Sequence, residues 1–255
     1  MSKREDDFYI GYVNAIPKSL HAPLVAMAGA ILIGFSCISL LLSLTQDSAG
    51  NGGFQWDAGY QNVRGVLEWK PYPVIHAEPS AAYPNGHTYL LAGEGKVGAQ
   101  VAAIALSGHA VEAGGFVIKR GTLDMLQVGG DVGLRPVTAA QSSTAAPPKT
   151  VDLGHWRVNG EICDGKCYAG AMRPGTGLAH KACANLCLIG QLPPVLVTAE
   201  AVAGSNFFLL GTQDGDRLPD SILDYVAIPI TAEGRIEHRG DMPVFLLDLS
   251  TLRTQ

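Results

Sequence analysis

An uncharged apolar stretch near the N-terminus, two breaks rich in small and turn-forming residues, and two blocks of similarly ordered short apolar runs predict a mainly β protein. In this reading a single N-terminal transmembrane helix precedes two small five-stranded barrels of OB-like type, related by tandem duplication. The second barrel carries a helical insertion bearing cysteine and histidine. One continuous β-sandwich is the competing architecture, because it too predicts many short strands.

The helix comes first. Residues 22–44 contain no charged side chain. At about 1.5 Å of rise per residue they span a hydrocarbon core of roughly 30 Å. The stretch exceeds the apolar region of a cleavable signal peptide, and no small-x-small cleavage site follows it. Lys3, Arg4 and Lys18 precede it, whereas the next basic residue is Arg64. That asymmetry predicts a cytoplasmic N-terminal segment (1–21), a membrane helix (22–45) and a periplasmic body anchored to a bacterial inner membrane. Phe8, Tyr9 and Tyr12 in the N-terminal segment read as an aromatic belt at the lipid headgroups. The alternative is a docking peptide for another membrane subunit.

Beyond the linker TQDSAGNGG, a Ser/Thr/Ala/Pro-rich break at 138–150 divides the body into blocks 54–137 and 151–255. VRGVLEWKPYP (63–73) corresponds to VNGEICDGKCY (158–168), and TYLLAG (88–93) to FFLLGT (207–212). Each block closes with a Gly-punctuated hairpin, and IKRGTLDMLQV matches IEHRGDMPVFLLDL best. Short alternating strands with turn residues about every 8–12 positions argue for β structure. Helical patterning is confined to 96–108 and 177–187.

Composition narrows the function. Charged residues make up 16% of the chain and the net charge is −5, with no basic stripe, so nothing points to nucleic acid. Of five cysteines, Cys37 lies in the apolar helix as a small filler, and the other four fall between 163 and 187. Clustered cysteines in an oxidising compartment mean disulfides or a metal. On a helix, His180, Cys183 and Cys187 share one face and can point at Cys167, at the end of the preceding strand, which gives a tetrahedral Cys3His set. Zinc is the first expectation for such a set. An iron–sulfur cluster is a second possibility, although no Arg-Arg pair precedes the helix. Copper is a third, favoured by soft sulfur donors and the nearby Met172. Disulfides stay open as the rival, with a bridge from Cys163 or Cys167 to the helix easier than one between Cys183 and Cys187.

The pattern G-E-x-x-D-x-x-C-Y, then H-x2-C-x3-C and G-x-x-P, resembles an uncharacterised group of exported bacterial proteins. It is carried by Gly160, Glu161, Asp164, Cys167, Tyr168, His180, Cys183, Cys187, Gly190 and Pro193. The resemblance covers about 35 residues and implies no activity. It places an aliphatic residue at Cys163, which sets Cys163 apart from the other ligands.

Other polar groups form no catalytic constellation. His76, His87 and His109 have no partners at metal-ligand spacing, and His155, Trp156 and His238 read as packing residues. The carboxylate pairs Asp214/Asp216 and Asp220/Asp224 sit in a polar loop. GEGKVG (93–98) lacks the phosphate-loop pattern, and no G-x-S-x-G occurs. The expectation is a non-catalytic accessory subunit of a respiratory or redox membrane complex, contacting lipid and integral-membrane and periplasmic subunits, with a structural metal site. The alternatives are an electron-transfer or metal-delivery protein and a thiol–disulfide oxidoreductase.

Overall fold

The computed structural model describes residues 16–45, 49–137 and 147–255, which form two units, one up to Ser48 and one from Ala49 onward. The aromatic segment at Phe8, Tyr9 and Tyr12 and most of the break at 138–150 lie outside the described residues. In the first unit, helix α1 runs from Lys18 to Thr45 and tolerates Pro23 in its opening turns. Its mean hydropathy of 2.4 and its length suit a membrane span; an uncleaved anchor and a signal sequence share both properties.

The second unit is mainly β. Its first half contains β1 (Gly53–Phe54), β2 (Gln61–Glu68), β3 (Val74–Ala77), β4 (His87–Ala92), β5 (Ala110–Arg120), β6 (Leu123–Val128) and β7 (Leu134–Pro136). A single short helix, α2 (Gln100–Ile104), lies between β4 and β5, where the sequence predicts a longer one. Neighbours pair antiparallel except β4 and β6, which run parallel. Strand β5 pairs with both β2 and β6, and β1 and β7 extend the same sheet along β5.

The second half is a closed five-stranded barrel of β8 (Thr150–Asp164), β9 (Pro194–Val202), β10 (Ser205–Thr212), β11 (Pro229–Arg239) and β12 (Met242–Thr254). Here β10 and β12 are the parallel pair. The last hairpin of each half turns on a glycine at positive φ, Gly121 at 57° and Gly240 at 65°, where a side chain would strain the tight turn.

Three buried clusters organise these strands. Leu67, Ile75, Leu91, Val111 and Leu126 fill the first sheet, and Ile162, Phe208, Leu210, Phe245 and Leu247 fill the barrel. The third cluster lies between the halves, where Leu90, Ile118, Leu123 and Met125 pack with Leu209, Val244, Leu246 and Val195. Strands β4, β6, β10 and β12 are therefore buried on both faces. That explains why TYLLAG and FFLLGT read as unbroken apolar runs rather than alternating ones. The two blocks flanking the break at 138–150 both contribute to this cluster, and the body from Ala49 is one compact unit.

A polar seam runs beside the shared core. Arg239 on β11 reaches across to Glu68 on β2 and the Lys70 carbonyl (2.7 Å), and also pairs with Glu237 at 2.6 Å. Glu68 accepts from or is paired with His76 at 2.9 Å. Burial raises the Glu68 carboxyl, but the His76 hydrogen bond and the Arg239 charge outweigh it and hold the group below its usual range.

Further along, His87 contacts Asp241 of the second half through Nδ1. Its Nε2 lies 2.9 Å from Asp124 of the first half. Burial lowers the imidazole, but Asp124 and Asp241 outweigh it and push it up to about 9. Tyr83 stacks on the ring at 4.1 Å, Tyr89 meets it edge-on, and Lys119 shares Asp124 at 2.8 Å. A group raised in the folded state contributes stability fully below its unfolded value near 6.5 and loses it as pH climbs through about 9. Thermal melts between pH 6 and pH 10 should fall through that window, and His87→Gln should flatten the fall. An unchanged slope in the variant would remove His87 as the cause.

Candidate metal centre

The site is built from the connection between β8 and β9. Strand β8 ends at Asp164, and a π-helical turn spans Cys167–Ala171. Cys167 therefore opens a turn rather than ending the strand as expected. A 3₁₀ turn, Leu178–His180, then runs directly into helix α3 (Lys181–Ile189). The i, i+3, i+7 spacing puts His180, Cys183 and Cys187 on successive turns of one face.

The potential ligand atoms of Cys167, His180 and Cys183 lie within 4.8 Å of one another, and so do those of Asp164, Cys167 and Cys187. The two groups overlap at Cys167. The four residues expected as ligands are thus split between two groups, His180 and Cys183 in one and Cys187 with Asp164 in the other. Cys163 is not among them: it is fully buried, and its thiol donates to Glu161 Oε1 at 3.2 Å. Desolvation pushes that thiol well above its ordinary range. All five cysteines are free, so no disulfide forms among Cys163, Cys167, Cys183 and Cys187.

Asp164 holds the site together from below. Its Oδ1 accepts the Cys167 backbone N–H at 2.8 Å, and its Oδ2 lies 2.9 Å from His180 Nε2. Donation of Nε2–H to this carboxylate would orient the ring and leave Nδ1 for a metal. Asp164 and His180 are 0% and 2% exposed, so water does not compete for this contact.

The sulfurs are electrostatically paired as well. Cys167 hydrogen-bonds Cys187, and that bond, with help from Lys96, lowers Cys187 to about 7 despite its burial. The same bond, with desolvation and the Asp164 charge, pushes Cys167 up. Lys96, from the loop after β4, places Nζ at 2.7 Å from Cys183 Sγ and 3.6 Å from Cys187 Sγ. The Cys183 contact raises the Lys96 ammonium to about 12. Met172 Sδ lies 3.2 Å from Cys183 Sγ.

The first half of the body grips this insertion. Lys166 is buried, and its Nζ donates to the carbonyls of Gly93 (2.7 Å) and Gly95 (2.9 Å). Desolvation pulls that ammonium below its usual range. Gly98 N–H donates to the Gly190 carbonyl at 2.8 Å, and Gln100 Nε2 to the Gln191 carbonyl at 2.6 Å. A Cβ on Gly190 would meet the Lys96 carbonyl at 1.8 Å, and one on Gly98 the Gln191 carbonyl at 2.0 Å. Neither backbone can yield without opening the junction. Gly190→Ala should cost about 1–3 kcal/mol, as overpacked sites do, read as a lower midpoint in urea. A midpoint unchanged within error would show that the junction is looser than this geometry.

Sequence reasoning named Cys167, His180, Cys183 and Cys187 but not Lys96, Lys166 or the role of Asp164. Asp164 was discoverable, because an aspartate three residues before a backbone N–H commonly caps it. Lys96 was not, since it approaches from a different half of the chain. The glycine-flanked GEGKVG, which fits no phosphate pattern, is the loop that delivers it. His76 and His87 belong to the seam, and His109 bonds the Ser107 carbonyl locally at 2.9 Å.

The donor set fits a metal. Cysteine sulfurs, an imidazole and a carboxylate behind it converge, with Asp164, Cys167, His180 and Cys187 buried and Cys183 at the partly exposed edge. No family model, curated protein or solved structure matches this chain.

Proposed function

We propose that the protein is a non-catalytic accessory subunit of a membrane-bound redox complex. It is anchored by α1 in a bacterial inner membrane with its N-terminus cytoplasmic and its body periplasmic. Integral-membrane and periplasmic subunits are its partners, and its Cys/His centre is a structural metal site. The observation that carries this reading is the placement of Cys167 and Cys187 inside the core shared by the two halves. A metal there ties the β8–β9 insertion to the surface on which the first half rests, and it stands too deep to meet a substrate. A thiol–disulfide exchanger needs its low-pKa cysteine exposed, and Cys187 is 2% exposed.

In the same reading the two halves are OB-like barrels made by duplication. The support is the repeated pairing scheme, in which β2, β3, β4, β5 and β6 correspond in order to β8, β9, β10, β11 and β12. Each half has the same antiparallel neighbours and the same single parallel pair. The last-hairpin glycines and the outward faces of the parallel pairs also correspond.

Zinc is the ion this closed set suits best. One observation favours a second reading, copper handling: the thioether of Met172 beside Cys183 is a donor that Cu(I) accepts and zinc does not. Purification from native membranes in mild detergent, followed by elemental analysis and an absorption spectrum, separates the two. Stoichiometric zinc in a colourless protein that co-purifies with membrane subunits is the expected result. Copper in its place selects the second reading, and metal-free monomer would overturn both.

A further inference from the structure

The contact between Lys96 and Cys183 is unusual in its chemistry. A nitrogen donor approaches an oxygen acceptor at about 2.7–3.2 Å, and sulfur, the larger atom, holds a donor farther off. At 2.7 Å, Lys96 Nζ and Cys183 Sγ stand at the short end of the range for oxygen. The separation is that of two atoms joined through one intervening atom. Lys96 is exposed and Cys183 partly so, which makes this the face of the cluster that small oxidants can reach. Cys167, Cys187, His180 and Asp164 lie behind it, each 5% exposed or less.

We propose that Lys96 and Cys183 are a redox-controlled modification site, closed by dioxygen into a covalent Nζ–O–Sγ bridge. The step balances. The thiolate and the ammonium together bring three hydrogens, and dioxygen accepts four electrons, two from sulfur and two from nitrogen. One oxygen atom becomes the bridge, forming an S–O and an N–O bond, and the other leaves as water with two of the hydrogens. The third hydrogen stays on nitrogen. Two equivalents of a dithiol, each oxidised to its disulfide, supply the four electrons and four hydrogens that return free thiol, free amine and water.

The bridge acts on the cluster in two ways. It withdraws the Cys183 sulfur from the group formed with Cys167 and His180, and it removes the ammonium that faces Cys187 at 3.6 Å. It also pins the loop after β4 to α3. Oxidised protein is thereby locked across the junction and depleted of a ligand, whereas reduced protein presents the full set. The same cysteine, placed beside Met172 and a lysine, is thus the point at which the extracytoplasmic redox state addresses the site. The bridge goes beyond the structural-metal reading and does not depend on it.

The test uses the full chain in detergent, purified without reductant, exposed to air and digested under non-reducing conditions. Mass spectrometry should find one peptide pair, containing Lys96 and Cys183, linked with the gain of one oxygen and the loss of two hydrogens. Dithiothreitol should release it. Lys96→Arg, which keeps the charge at an exposed position, should abolish the linked species while the far-UV spectrum is unchanged; Cys183→Ser should do the same. Recovery of Cys183 only as a free alkylated thiol, or as a disulfide with Cys187, would overturn the bridge. Metal content of the reduced wild type is measured in parallel. Stoichiometric metal without a bridge retires this inference alone, and a bridge without metal retires the metal reading alone.

Discussion

Cys167→Ser is expected to strip the site of its metal and to lower the thermal midpoint by roughly 5–16 °C. Cys167 is the one residue common to both groups of converging ligand atoms, so no alternative set survives its loss. The magnitude follows from linkage. A ligand bound only to the folded state at 100 to 1,000 times its dissociation constant contributes about 2.7–4.1 kcal/mol. For a body of this size each kcal/mol moves the midpoint by about 2–4 °C. Wild type treated with a strong chelator should melt at the same lowered temperature as the variant. Cys163→Ala supplies the contrast. Its thiol faces Glu161 outside both groups, so this variant should keep stoichiometric metal even if the buried cavity costs some stability. Metal lost equally from both variants would mean that the cluster fails through packing, and the ligand assignment would fall.

The second large effect is expected at the seam. Arg239 is 15% exposed and is shared by Glu68, Glu237 and the Lys70 carbonyl, with Glu237 only 6% exposed. Arg239→Ala leaves Glu237, in a dry setting, with only its longer 3.8 Å pairing to Arg235. Removing one partner of a buried pair typically costs about 3–5 kcal/mol. The open edge at Glu68 reduces this toward about 3 kcal/mol, a fall of roughly 6–12 °C. Arg239→Lys should recover only part, because an ammonium cannot divide a planar fork between two carboxylates and a carbonyl. The double variant Arg239→Ala, Glu237→Gln should be more stable than Arg239→Ala alone, since it removes the stranded charge. If the double variant is no better, the loss lies in packing rather than charge. Lower pH gives the same sign. Glu68 is held below its ordinary range, so its contribution is present above about 4.5 and disappears as the pH drops through its depressed value.

How much of this was legible follows from the range over which each signal acts. Helix α1 was readable because length and hydropathy are properties of one continuous segment, and they suit a membrane span or a signal sequence alike. The closing hairpins were readable from Gly121 and Gly240, since a tight turn is local. The face shared by His180, Cys183 and Cys187 followed from helical period alone. The longer helix expected at 96–108 shrank to Gln100–Ile104, because its neighbours serve the junction with Gly190 and Gln191 instead. The break at 138–150 suggested separable domains, yet composition cannot reveal that Leu90 and Met125 face Leu209 and Val244. For the same reason nothing marked Lys96 as a neighbour of Cys183, 87 positions away. Each of these missed features depends on a surface that exists only after the two halves meet.

The double-sided burial of β4, β6, β10 and β12 bears on how the chain is made. Synthesis delivers the first half while its partner is still on the ribosome. The outer sides of Leu90, Leu123 and Met125 then have nothing to rest on but water or a chaperone. The earlier half is therefore a sticky intermediate, and the later half completes its surface as much as it folds itself. Truncation at the apparent linker should yield fragments that aggregate, and nascent chains should stay bound to holdases until residues near Leu246 emerge. The arrangement makes quality control simple: a chain that stops early is recognised by the apolar face it never covers.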